Sequence, residues 1–167
     1  TVPARLTVKA PPVFEKQVSA QRVNEGDGAF FIAKVRGTPP LSYQWYKDGV
    51  AIEGGTSLSY GIGKVQAQTH AGVYTLVASN EFGQTVSAEG VLSVNVPVNV
   101  TRQPQSTSVR QGEPVVLSVE AVGTGVTYQW RRNGVSLGDA ATGAEWVLES
   151  AHKEDGGVYD VLVRGII

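Results

Sequence analysis

Two histidines and a scatter of acidic side chains are the residues of this chain whose chemistry could support catalysis. His70 and His152 lie in different halves of the sequence, and cysteine is absent. A nucleophile needs a base within hydrogen-bond reach and a third group that orients that base, and the sequence shows no such grouping. We therefore predict that the protein is not an enzyme and that His70 is a solvated corner residue.

The acidic residues do not form a pattern typical of a metal site. Calcium requires several carboxylate or carbonyl oxygens that converge on one point, and zinc requires a cluster of cysteine or histidine ligands. The candidate acids are scattered without such a spacing: Asp27, Asp48, Asp139 and Asp155. We predict solvated loop positions for all four, with no metal and no cofactor.

Outward aromatic and apolar side chains could bind a partner, because sugar rings and proteins both contact flat apolar surfaces. The candidate interaction surface consists of Phe30, Ile32, Tyr46 and Phe82. One interpretation is a patch for a partner protein or a surface glycan. The other is that Phe30 lies across Gly61 and Gly63, which have no side chains of their own to pack.

Charge and hydropathy exclude two classes of partner. The net charge is -1, charged residues make up 17% of the chain, and no basic stripe is present. Nucleic acid is therefore a poor candidate partner. No apolar run approaches the roughly 18 residues that span a bilayer. The chain opens at Thr1 within a strand-like pattern, which we interpret as a fragment of a longer protein.

Strands must position these residues, and the clearest one occurs twice. The stretch SYQWYKDGV at residues 42–50 returns as TYQWRRNGV at residues 127–135. In each copy a Tyr and a Trp are two residues apart, which places both rings on one face of a strand. The following Asp-Gly or Asn-Gly pair favours a type I′ hairpin turn.

The repeat defines the domain organisation. Other features recur at a period of roughly 85 residues, including AGVY at residues 71–74 and GGVY at residues 156–159. We predict one domain at residues 11–96 and a second at residues 97–167. Residues 1–10 are predicted to be the last strand of a preceding repeat, or a linker.

These motifs resemble a known family. GTPPLSYQWYKDGV at residues 37–50, AGVYTLVASN at residues 71–80 and the Phe82-Gly83 pair closely resemble an I-set repeat of the immunoglobulin superfamily. More narrowly, they are similar to the cysteine-free tandem repeats of large bacterial surface and secreted proteins. The chain departs from the family at His70, where an Asp is usual.

The resemblance implies an all-β fold of two tandem immunoglobulin-like β-sandwiches with Greek-key topology, the second lacking its own last strand. Tyr74 and Tyr159 would form tyrosine corners, in which the phenol reaches back to the backbone a few residues upstream. The inter-sheet cystine of the family would be replaced by packing alone. The implied structural core comprises Trp45, Trp130, Tyr74, Tyr159, Ala33, Leu76, Val119 and Val161.

The two ends of the chain suggest an assembly. Residues 1–8 resemble the last strand of the first domain, whereas too few residues follow Val163 to supply that strand in the second. A proteolytic boundary explains this arrangement. The alternative is that Thr1–Val8 of one molecule completes the second domain of a neighbour by strand exchange.

The resemblance implies a non-catalytic structural or adhesion module at the cell surface or outside the cell. The linker at residues 94–99 has no Gly and contains Pro97, so we expect a semi-rigid spacer or a protein-interaction segment of a larger surface protein. The alternative is an accessory module that binds or presents glycan in a secreted polysaccharide-degrading enzyme. A decoration of a phage structural protein is a third possibility.

Overall fold

The chain folds into two compact units of β-structure, Thr1–Val94 (unit 1) and Asn95–Ile167 (unit 2). The structure is a computed structural model that describes residues 3–4 and 6–167. Strands dominate both units, as the alternating apolar pattern predicts. The division falls two residues before the predicted boundary, and the described residues of the segment 1–10 belong to unit 1.

Unit 1 contains short strands and one turn of α-helix. Its elements are β1 (Val13–Lys16), β2 (Gln21–Asn24), β3 (Ala29–Ile32), β4 (Lys34–Arg36), β5 (Ser42–Lys47), β6 (Val50–Ala51), β7 (Ser59–Ile62), α1 (Ala67–His70), β8 (Gly72–Asn80), β9 (Gly83–Val86) and β10 (Gly90–Asn95). The large sheet has the order β2-β10-β8-β5-β6, and β9 also pairs with β8. On the opposite side of the core, β1 pairs with β4 and β3 pairs with β7.

Unit 2 repeats this plan. Its elements are β11 (Asn99–Arg102), β12 (Val115–Ser118), β13 (Glu120–Val122), β14 (Thr127–Arg132), β15 (Val135–Ser136), β16 (Glu145–Leu148), a 3-10 helix (Lys153–Asp155) and β17 (Tyr159–Arg164). The strands pair as β11-β13, β12-β16 and β15-β14-β17. Within the described chain, β17 pairs with β14 alone, whereas its counterpart β8 has partners on both edges.

Each unit is built around one fully buried tryptophan. Trp45 and Trp130 are both 0% exposed. The indole Nε1–H of Trp45 donates to Ser57 O over 2.8 Å, and that of Trp130 donates to Gly143 O over 3.0 Å. Burying the ring therefore leaves no indole donor unsatisfied, which a buried Trp requires.

The remaining implied core residues lie around these rings. Ala33 and Leu76 are buried in the core of unit 1, as Val119 is in unit 2, whereas Val161 is half-buried and packs against its core. At Ala33 the chain leaves the β7 pairing and enters the β1 pairing, and Val119 marks the same change in unit 2. Apolar side chains thus fill both positions where the family carries a cystine.

Both hairpins have the backbone that their turn residues predict. Asp48 has a φ of 48° and Gly49 one of 80°, and Asn133 and Gly134 have 49° and 80°. A type I′ turn needs positive φ at both central residues, which Asp, Asn and Gly tolerate better than other residues. This turn returns β5 onto β6 and β14 onto β15.

The segments ahead of β1 and β11, the first strands of the two units, are each held by a threonine. Ala10 N–H donates to Thr38 Oγ1 over 2.8 Å, and Thr38 N–H donates to Ala10 O over 3.2 Å. Val96 and Thr124 repeat the exchange over 2.7 and 2.9 Å. We call each pair a threonine ring. The ring at Ala10 fastens the end of the segment 1–10 to unit 1.

The predicted strand at residues 1–8 is not seen in the described part of that segment. Thr1, Val2 and Arg5 lie outside the described residues, and residues 3–4 and 6–10 carry no strand. Leu6 and Val8 are exposed, so they do not contribute to the core of unit 1.

Candidate interaction surfaces

The tyrosine corners are present in both units and belong to the scaffold. Tyr74 OH donates to His70 O over 2.8 Å, and Tyr159 OH donates to Asp155 O over 2.7 Å. Burial, with smaller contributions from Tyr60 and Asp48, raises the pKa of Tyr74 to about 12. The phenol is therefore held as a neutral hydrogen-bond donor.

His70 fills the place of an acid at its corner. Its Nδ1 accepts the N–H of Gln66 over 2.8 Å at the start of α1. In unit 2, Asp155 Oδ2 accepts the N–H of His152 over 2.9 Å at the start of the 3-10 helix. Both side chains cap a short helical turn, which gives His70 a structural role in addition to the solvent contact that the sequence predicts.

Acidic and histidine side chains do not converge elsewhere in the described residues. Within 3–4 and 6–167, no group of three His, Asp or Glu side chains could hold a metal ion. Of the predicted loop acids, Asp48 accepts hydrogen bonds from Lys47 and from the Val73 N–H. No helix in the described part of the chain is long and apolar enough to span a bilayer.

Phe30 and Ile32 lie on the outward face of β3. Phe30 is 58% exposed and pairs across the sheet with Gly61. A Cβ on Gly61 would lie 3.2 Å from the Phe30 ring, whereas a Cβ on Gly63 would have no neighbour within 4 Å. The ring therefore covers the bare backbone of β7 at one glycine, in agreement with the packing interpretation.

Tyr46 and Phe82 are distant from that patch in the topology. Tyr46 lies on β5 in the opposite sheet and is half-buried, and Phe82 lies between β8 and β9. The Lys9 ammonium stands 5.2 Å from the Phe82 ring centroid. The four residues of the candidate interaction surface thus occupy three places, and the structure does not assemble them into one aromatic platform.

A larger neutral surface surrounds Tyr46. Cross-strand pairs lie on the same face of a sheet, and four of the outward pairs of the large sheet are Tyr46–Thr75, Gln44–Val77, Val77–Val86 and Val73–Val91. We call these seven residues the outer face: Gln44, Tyr46, Val73, Thr75, Val77, Val86 and Val91. Of these residues the sequence predicts only Tyr46 as a surface residue, although the alternation in GVYTLVASN also marks Val73, Thr75 and Val77 as outward positions.

Two of the equivalent positions in unit 2 carry an ion pair. Arg131 and Asp160 form a two-pronged ion pair, with Nε–Oδ1 at 2.6 Å and Nη2–Oδ2 at 2.9 Å. These residues correspond to Tyr46 and Thr75 in the repeat. The hydrogen bonds from Arg131 lower the pKa of Asp160, and those to Asp160 raise the pKa of Arg131. The two units therefore have the same fold but different side chains at these two outward positions.

Unit 2 has a groove of about 720 Å³ beside its core. Leu117, Trp146 and Tyr159 contribute its apolar lining, and His152 and Lys153 are among its polar residues. In unit 1 the equivalent residues, Phe31, Tyr60 and Tyr74, pack in one cluster with Leu92 of β10. The sequence could not reveal this groove because it depends on how distant strands come together.

Comparison with known proteins agrees with this architecture. Residues 11–80 match the family "Immunoglobulin domain". Hemicentin-1 of Homo sapiens is 29% identical over 176 residues, covering 96% of this chain and 3% of that protein. The cell adhesion molecule Dscam1 of Drosophila melanogaster is 27% identical over 144 residues, covering 80% of this chain and 7% of that protein. The chain thus spans a small part of these relatives.

Solved structures extend the likeness to both units. The crystal structure of the N-terminal four Ig domains of Dscam1 isoform 7.44 has a TM-score of 0.74 and 22% identity. The match covers 98% of this chain and 44% of that one, and at this identity it speaks to the fold. Tandem immunoglobulin-like sandwiches are therefore the fold of the chain, as predicted, and residues 11–80 carry the match to the immunoglobulin domain family.

Proposed function

We propose that this chain is a non-catalytic, extracellular structural or adhesion module of I-set type, which acts as a semi-rigid spacer or protein-interaction segment of a larger surface protein. Its relatives include a cell adhesion molecule. Protein surfaces are the partners that such a module would meet, since its exposed residues form flat sheet faces and short loops.

The observation that supports the spacer role is that the residues on either side of the boundary between the units are hydrogen-bonded within their own units. β10 extends to Asn95, and the next residue, Val96, is already in the threonine ring with Thr124. A connection loses flexibility when its residues are hydrogen-bonded and when Pro, here Pro97, fixes a backbone angle. The ring therefore fastens the first residues of unit 2 to that unit, directly after the last strand of unit 1.

The experiment compares the rotational correlation times of the two units by ¹⁵N relaxation. We expect equal correlation times in the unmodified chain and faster, unequal ones in Thr124→Val, which removes the hydroxyl that accepts the Val96 N–H. Thr38→Val is the matched control, because it opens the same ring at Ala10, ahead of unit 1. Units that already tumble independently in the unmodified chain would disprove the spacer role.

A further inference from the structure

We propose that Asn133, in the hairpin turn of unit 2, is a site of spontaneous deamidation, and that the folded chain converts it to aspartate. The inference goes beyond the proposed function and does not rest on it. It starts from the sequence, in which Gly134 follows Asn133, whereas the other asparagines precede a glutamate or a valine. Glycine has no side chain to obstruct a reaction at its own nitrogen. The other asparagines are Asn24, Asn80, Asn95 and Asn99.

The reaction needs no reagent except water. The main-chain nitrogen of Gly134 attacks Cγ of Asn133 and forms a C–N bond, the Cγ–Nδ2 bond breaks, and the Gly134 proton leaves with Nδ2 as ammonia. The attacking atom is held next to its target by the chain, which favours this step over direct attack by water. The cyclic imide that results then takes up one water molecule. Opening at Cγ gives aspartate, and opening at the main-chain carbonyl carbon gives isoaspartate.

The turn is accessible to this chemistry. Asn133 and Gly134 are both exposed, so water reaches them. Apart from its chain neighbours, Gly134 has no atom within 4 Å of the position that a Cβ would take. Neither burial nor crowding therefore blocks the attack.

A hydrogen-bond donor is already aimed at the oxygen on which charge develops. The Val158 N–H donates to Asn133 Oδ1 over 2.9 Å. This oxygen becomes negative as the Gly134 nitrogen attacks Cγ, and a preorganised donor at such an oxygen lowers the barrier. The same donor polarises the Cγ carbonyl of the imide and directs the incoming water to it. We therefore expect aspartate as the main product.

Unit 1 shows that the turn accepts this product. Asp48 occupies the equivalent position with a φ of 48°, against 49° for Asn133. Its Oδ1 accepts the Val73 N–H over 2.8 Å, so an aspartate at position 133 would keep the contact with Val158. Isoaspartate instead adds a methylene to the main chain of a two-residue turn, whose geometry sets the register of the hairpin.

The conversion changes the charge of the hairpin. It adds one negative charge beside Arg132 to a chain whose net charge is -1. In unit 1 the equivalent carboxylate, Asp48, bonds to the ammonium of the preceding Lys47. The converted turn of unit 2 would thus repeat the charged turn of unit 1.

The experiment incubates the folded chain in mildly alkaline buffer at physiological temperature and follows it by anion exchange and intact mass. We expect one more acidic species with the mass gain of an amide-to-acid change, which peptide mapping places at Asn133. Isoaspartyl methyltransferase measures the share of isoaspartate. A sample unfolded in guanidinium lacks the fixed Val158 donor, so it should contain a larger share of isoaspartate than the folded sample.

Two variants sharpen the test. Asp48→Asn creates a second Asn-Gly turn with the Val73 N–H as its donor, and it should undergo the same mass gain twice. Asn133→Asp is the control, which should gain no mass and should elute with the acidic species of the unmodified chain.

Three results would overturn the proposal. The first is a folded chain that stays unconverted over the time in which the unfolded chain converts completely. The second is earlier conversion at another asparagine. The third is an equal share of isoaspartate in the folded and unfolded samples. None of these measurements depends on how the two units move, so they leave the test of the spacer role independent.

Discussion

Asp48 and Val73 exchange two hydrogen bonds: the Asp48 N–H donates to Val73 O, and the Val73 N–H donates to Asp48 Oδ1, each over 2.8 Å. Asn133 and Val158 repeat the exchange over 2.7 and 2.9 Å. Each exchange ties a hairpin turn to the strand that carries the tyrosine corner. Unit 1 uses a carboxylate for this contact and unit 2 an amide.

Replacement of Asp48 by Asn should reduce the loss of stability that occurs when the pH is lowered. The hydrogen bond from Lys47, followed by that from the Val73 N–H, lowers the pKa of Asp48 from 3.8. A carboxyl with a lowered folded-state pKa adds stability above its ordinary value and loses it as the pH falls through the folded-state value. Urea midpoints at pH 7 and about pH 3 should therefore differ less in Asp48→Asn than in the unmodified chain. Asn133→Asp is the converse variant and should increase the difference; an unchanged difference in both would contradict this account.

Loss of the Tyr74 hydroxyl should weaken unit 1 and remove part of its alkaline sensitivity. Tyr74→Phe breaks the hydrogen bond to His70 O and should cost about 1 kcal/mol of unfolding free energy. Because the pKa of Tyr74 is raised from 10.0 to about 12, its contribution is complete below pH 10 and declines as the pH rises towards 12. Denaturant titrations at neutral pH and in this alkaline window measure both effects. Tyr159→Phe is the matched variant in unit 2, and an unchanged alkaline slope in Tyr74→Phe would refute the burial argument.

Alanine at Gly72 should be more harmful than alanine at Gly157. Gly72 has a φ of 148°, and a Cβ there would lie 2.5 Å from Asp48 Oδ2. A Cβ on Gly157 would lie 3.0 Å from Asn133 Oδ1, and no positive φ adds strain. We expect a loss of about 1–3 kcal/mol for Gly72→Ala and less than about 1 kcal/mol for Gly157→Ala. Thermal unfolding of the two variants measures the difference, and equal losses would show that the backbone relaxes freely.

Truncation of Trp45 should be the most severe of these changes. The ring is fully buried and contacts Phe31 and Tyr60 at centroid distances of 6.0 and 6.1 Å. Trp45→Ala should cost about 3–5 kcal/mol, from lost burial and the cavity that remains. Tryptophan fluorescence of this variant comes from Trp130 and Trp146 alone, so it follows unit 2, while circular dichroism follows both units. The prediction would be contradicted if circular dichroism showed unit 1 of the variant unfolding at the same denaturant concentration as unit 1 of the unmodified chain.

The residues that could be interpreted from the sequence are those governed by local rules. Asp48-Gly49 and Asn133-Gly134 specify their own turns, and the Tyr-Gln-Trp spacing places a ring in each core. The tyrosine corners are local contacts across a separation of four residues, since Tyr74 bonds to His70 and Tyr159 bonds to Asp155.

The surfaces were harder to predict because they depend on register between distant strands. Tyr46 belongs to the outer face only because β5 pairs with β8 in one register, which places it beside Thr75. The exposure of Phe30 could be inferred from the alternation. That its ring covers Gly61 and leaves Gly63 uncovered depends on the register of the β3–β7 pairing. The threonine rings have no sequence signature of their own, because each one joins residues 28 positions apart.

The apolar filling at Ala33 and Leu76 has a consequence for where and how the protein can mature. These 167 residues contain no cysteine, so their folding involves no disulfide formation and no disulfide rearrangement. The unfolding temperature should be the same with and without dithiothreitol. A cysteine-free domain of this kind keeps its structure through shifts in redox potential that would reduce the cystine of a disulfide-bonded domain.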